Sequence, residues 1–112
     1  MSILSELKSA LSILDVPIET GVFSGIPPDE YLVLTPMTDL FDAFADNKPG
    51  YEISEVRISL FTKSNYMQRK SQLTQILLDA DFTVTGRWYI GYENDTEYHH
   101  YAIDVAKEYK FN

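Results

Sequence analysis

Apolar and polar residues alternate most regularly in the last third of the chain. Across residues 82–105, Phe82, Val84, Trp88, Ile90 and Tyr92 alternate with Thr83, Thr85, Arg87, Tyr89 and Glu93, and Tyr101, Ile103 and Val105 repeat the pattern. A period of two belongs to a strand with one buried face, so the stretch reads as a two-stranded hairpin. Asn94-Asp95 tolerates positive φ and suits a two-residue primed turn. Pairing Glu93 with Thr96 then sets Ile90 across from His99, Trp88 from Tyr101, Gly86 from Ile103 and Val84 from Val105, with both apolar sets on one side. On this register Trp88, Tyr92 and Tyr101 belong to the core, and truncating Trp88 to Ala costs about 3–5 kcal/mol.

The same reading supplies the other elements. Ile3, Leu4, Leu7, Ala10, Leu11 and Leu14 recur at helical spacing behind Ser2 as cap, and Pro17 stops that helix near Asp15 or Val16. Residues 18–23 form a short strand closed by Gly25 and Pro27-Pro28, and residues 31–35 a buried strand that pairs with it. Residues 37–50 read as an acidic loop carrying Phe41 and Phe44, which need an apolar partner in their own core or on a neighbouring subunit. Residues 52–62 alternate as a strand. Ser64 or Asn65 caps a second helix, Gln68 completing a capping box if the cap is Asn65, and the inner stripe of that helix is Leu73, Ile76, Leu77 and Ala80. Residues 107–112 read as a polar and aromatic tail. The order predicts one α+β domain over residues 1–112, a mixed or antiparallel sheet with two helices packed on one face and a closing hairpin.

Composition narrows the function classes. The 112 residues include no cysteine, which excludes disulfides and thiolate chemistry. No stretch approaches the ~20 apolar residues that span a bilayer, so no membrane association is expected. The net charge of −8 is unsuited to gripping a phosphate backbone, even though the many aromatics could stack bases. His99 and His100, adjacent on a strand, point to opposite faces and do not readily share a metal; His99 reads as half-core and His100 as surface or interface. Asp39, Asp42 and Asp46 lack the spacing, glycine and glutamate of a calcium loop. The five glycines build no phosphate loop, and no serine sits in a nucleophile elbow. No catalytic residue, cofactor site or metal site is expected, hence no enzyme. The surplus aromatics Tyr89 and Tyr98, together with Phe41 and Phe44, are the expected interface residues.

Several stretches carry a family resemblance: the run from Tyr31 through Pro36, the acidic loop ending Ala45-Asp46-Asn47, the strand from Val56 to Lys63, and Tyr92-Glu93-Asn94-Asp95-Thr96 before His99-His100-Tyr101. Together they resemble small neck and tail-completion proteins of tailed phages and prophages of Gram-positive bacteria, in layout the tail-terminator and tail-to-head joining group. The resemblance implies a virion structural protein, an α+β subunit of a hexameric ring that caps the tail tube and joins it to the head. It implies as partners further copies of the chain, the tail tube protein and a connector or stopper, with DNA passing through unbound, and assembly in the host cytoplasm. A connector or stopper nearer the portal and a small monomeric binding domain are the alternatives.

Overall fold

The fold is that of a computed structural model, which describes residues 2–42 and 50–110, the side chains of Phe41 and Asp42 excepted. Helix α1 (Ile3–Leu11) begins as its sequence dictates: Ser2 is extended, and its hydroxyl accepts the Ser5 amide at 3.2 Å. A 3-10 turn (Ser12–Leu14) ends it, and Asp15 takes a left-handed conformation at φ 56° before Pro17. Strands β1 (Ile18–Thr20), β2 (Glu30–Asp42) and β3 (Tyr51–Thr62) follow. Helix α2 (Tyr66–Asp79) starts at Asn65, whose carbonyl oxygen accepts the Met67 and Gln68 amides at 3.1 and 3.2 Å. Strands β4 (Thr83–Glu93) and β5 (Tyr98–Lys110) complete the chain.

Among the described residues five strands form one mixed sheet in the order β1-β2-β3-β5-β4, with β1 and β2 parallel and the other neighbours antiparallel. β5 therefore lies between β3 and β4, although it is made last. One face is covered by both helices: Leu7, Leu11, Leu73 and Leu77 pack with Leu32, Leu34, Val56, Ile58, Leu60, Tyr101, Ile103 and Val105 in a single apolar cluster. Leu4, Ala10, Leu14, Ile76 and Ala80 border it, so both helices present the predicted stripes.

Four boundaries differ from the sequence reading, each for a physical reason. The first strand, read over residues 18–23, ends at Thr20, because Gly21 turns the chain at φ 86°. The stretch read as a loop from residue 37 continues as β2 to Asp42, with a register shift between Pro36 and Asp39. Proline is tolerated there because β1 covers β2 only at Leu32–Leu34, leaving the later part an open edge. The expected tail is strand as far as Lys110, which pairs with Tyr51. The expected two-residue hairpin turn is four residues, 94–97, with Glu97 at φ 65°, and Glu93 pairs with Tyr98. Two bulges in β4, at Thr85 and Ile90, take up the two extra residues. The far end of the hairpin, Val84 against Val105, keeps the predicted pairing.

The ends of β2, β3 and β5 run on as a three-stranded arm in which no residue of 37–40 or 50–53 is buried. Its root is tied to α1. Lys107 Nζ and the Tyr109 hydroxyl both reach Glu6 Oε2 at 3.0 Å. Burial favours the neutral form of Glu6, but the hydrogen bonds from Lys107 and Tyr109 outweigh it and hold the carboxyl below its ordinary value. Burial and the Glu6 carboxylate push the Tyr109 hydroxyl well up.

Candidate assembly interface

The bulges decide which aromatic side chains are free. Thr85 is the unpaired residue of the first bulge, so the alternation inverts after Val84: Arg87 and Tyr89 point to the helix-covered face and Trp88 to the opposite one. Trp88 pairs with Ala102, not Tyr101, and is 41% exposed, which corrects its expected place in the core. Its ring lies over Gly86, where a Cβ would meet Cζ3 at 2.5 Å, and under the Arg57 guanidinium, 4.9 Å from the centroid. Trp88→Ala is therefore expected to cost the isolated chain about 1–2 kcal/mol, well short of a full core deletion. Chemical denaturation measures it. A loss above about 3 kcal/mol would mean the ring is covered in the folded chain.

The second bulge returns Tyr92 to the helix-covered face, but beyond the helix that would cover it. It is exposed there, again contrary to a core role, with its ring centroid 4.8 Å from that of His99. Tyr89 is also exposed, and its hydroxyl shares a hydrogen bond of 2.9 Å with His99 Nδ1. The Tyr66 ring stands 4.8 Å from Tyr89 and 5.1 Å from His99. The outer margin of the sheet at β4 thus exposes Trp88 on one face and Tyr89 and Tyr92 on the other, with Ile90 exposed at the bulge between them.

Tyr98 does not join them. It is buried, its hydroxyl donates to the Pro28 carbonyl, and its ring meets Tyr31 edge-on at 5.5 Å. The longer turn places Tyr98 opposite Glu93 on the helix-free face, where the 21–28 segment folds back over the sheet, so its surface is consumed within the chain. Phe41 and Phe44, the other expected interface residues, lie outside the described side chains.

The helix-free face carries its own aromatic stack: Phe23, Tyr31, Phe61 and His100 follow one another at centroid distances of 4.7, 4.8 and 4.2 Å. His100 is thus half-buried on Phe61, not at the surface, and its Nε2 is buried without a partner among the described residues. Burial lowers its affinity for a proton below the ordinary value of 6.5. The unfolded chain therefore binds more protons just below pH 6.5, and this part of the stability, complete above that pH, is lost as pH falls through the folded value. His100→Phe, which keeps the stack, is expected to flatten the fall in melting temperature between neutral pH and pH 5 that buried His100 imposes. An unchanged slope would show that other groups carry it.

Next to this stack, Arg57 and Asp104 form a two-pronged pair, Nε to Oδ1 at 2.8 Å and Nη2 to Oδ2 at 3.1 Å. Asp104 holds the guanidinium above its ordinary basicity. An open groove of about 470 Å³ runs between the start of α1 and the arm, with the carboxylates of Asp39, Glu52 and Glu55 along it. Among the described residues no group of three or more His, Asp or Glu side chains is placed to hold a metal ion, and no helix is long and apolar enough to cross a membrane.

No protein-family model and no curated protein matches the chain. Solved structures share its fold over nearly its whole length. One is 15% identical with a TM-score of 0.56, covering 98% of this chain and 94% of that one. A second, from the virion of a native gene transfer agent particle, is 12% identical with a TM-score of 0.57, covering 98% of this chain and 92% of that one. Neither match supports the link to Gram-positive hosts.

Proposed function

We propose that this chain is a structural protein of a phage-like virion, not an enzyme, which caps the tail tube and joins tail to head as a hexameric ring. The observation that carries the reading is the full-length likeness of fold to a chain of the gene transfer agent virion. The sequence resemblance to neck proteins adds the station along the particle, and the exposed aromatic margin at β4 supplies surface for subunit contacts. Charge agrees with the role: six copies at −8 each surround a channel that repels DNA and lets it slide through. The partners on this reading are further copies, the tail tube protein and a connector or stopper on the head side, all within the virion neck.

The test is to disrupt the gene in a phage or prophage that carries it and to image the lysate. Filled heads with separate tails, or tails of uncontrolled length, are expected, because an uncapped tube keeps an end open to polymerisation. Joined particles of normal length would overturn the reading. Heads that fill and then leak their DNA would move the protein to the portal side as a stopper.

A further inference from the structure

The two margins of the sheet differ in a way that suits them to each other. At one margin the arm exposes Met37, Leu40 and Tyr51. Its charges are mainly acidic, with Asp39, Glu52, Glu55 and Glu108 against Lys110 and a Lys107 already engaged by Glu6. At the other margin β4 exposes Trp88, Tyr89 and Ile90, and the charges beside them are cations. Arg87 donates to the Thr74 hydroxyl on α2, and the Lys70 ammonium stands 5.4 Å from the centroid of the Tyr101 ring, which pairs with Tyr89. The turn end of β4 is different, because Glu93, Asp95 and Glu97 crowd it.

We infer that the arm of one copy seats its exposed apolar side chains on the Arg87 half of β4 in the next copy, so that copies join head to tail through two different faces. The contact rests on the ring reading above and specifies how that ring is closed. Arm against arm is poorly suited, because it opposes four carboxylates with four more. Arm against β4 puts opposite charges together around two apolar surfaces, and contacts between unlike faces are those that close into rings. The bulges at Thr85 and Ile90 interrupt the outer ladder of β4. The joint is therefore made by side chains, not by extension of the sheet from copy to copy.

The absence of cysteine makes a clean test possible. Leu40→Cys and Ile90→Cys, both at exposed positions, are introduced together and singly into the full chain, which is treated at high concentration with a short bis-maleimide. The doubly substituted chain is expected to give a ladder of dimers, trimers and higher species, and each single variant only monomer. Adding Arg87→Glu, with melting temperature as the control for folding, is expected to cut the ladder by about tenfold, the effect of one lost charge contact across an interface. Dimers from Ile90→Cys alone, or an oligomeric mass by light scattering without a ladder, would overturn this contact while leaving the ring intact. A chain that stays monomeric at every concentration would overturn the ring reading itself.

Discussion

Ile103→Ala is expected to remove about 2–5 kcal/mol of folding stability, a large part of the ~5–15 kcal/mol available to a domain of this size. Ile103 is fully buried on β5, opposite Ile58 on one side and Arg87 on the other, beneath the layer formed by the two helices. No neighbouring strand can close the cavity, because β5 is paired along both edges and its backbone is held in place. Urea titration measures the loss as a shift in midpoint. Ile13→Ala, at a side chain that is 77% exposed, is the matched control and is expected to change stability by no more than about 0.5 kcal/mol. A loss below about 1 kcal/mol at Ile103 would contradict the assignment of the core to this face.

The second large effect is expected at the ion pair of the helix-free face. Arg57→Ala leaves the Asp104 carboxylate, 12% exposed, without the two hydrogen bonds that offset its desolvation. The cost is expected to be about 2–3 kcal/mol, below the ~3–5 kcal/mol of a fully enclosed pair because the Arg57 side chain reaches solvent. Arg57→Met combined with Asp104→Leu is expected to cost less than Arg57→Ala alone, since it leaves no charge behind. If the double replacement proved the more damaging, the pair would be contributing net stability beyond mutual compensation.

Local chemistry was the most legible part of the chain. Ser2 caps its helix as the sequence predicts, and Asn65, one of two candidates beside Ser64, caps the other, because a cap is decided within four residues; the stripes of Leu7 and Leu11 and of Leu73 and Leu77 need only the helical period. The aromatics of β4 were misassigned because a period-two pattern carries a side chain's face correctly only until a bulge intervenes. Thr85 and Ile90 are ordinary strand residues, and nothing in their chemistry marks them as unpaired. Trp88 and Tyr98 changed places between surface and interior for that reason and because the turn is two residues longer than Asn94-Asp95 suggests. Tyr89 is exposed, but on the face opposite to the one that regular alternation assigns it. The arm is not legible as strand because its apolar residues do not recur at a period of two: residues 37–42 and 106–110 show no alternation, and only pairing with β3 identifies them as strand.

The position of β5 also fixes the order in which the molecule can be completed during synthesis. A nascent chain that has emerged through α2 holds β1, β2 and β3, but the inner edge of β3 has no partner until residues 98–110 leave the ribosome. Val56, Ile58 and Leu60 then acquire the neighbours on β5 that bury them, across a sequence separation of some forty residues or more. Pairings this distant in sequence fold slowly, and an open strand edge in the waiting chain attracts other chains. Translation that stalls between α2 and β5 therefore yields a species prone to aggregate, and the interval between synthesis of β3 and arrival of β5 sets how long each new copy remains exposed.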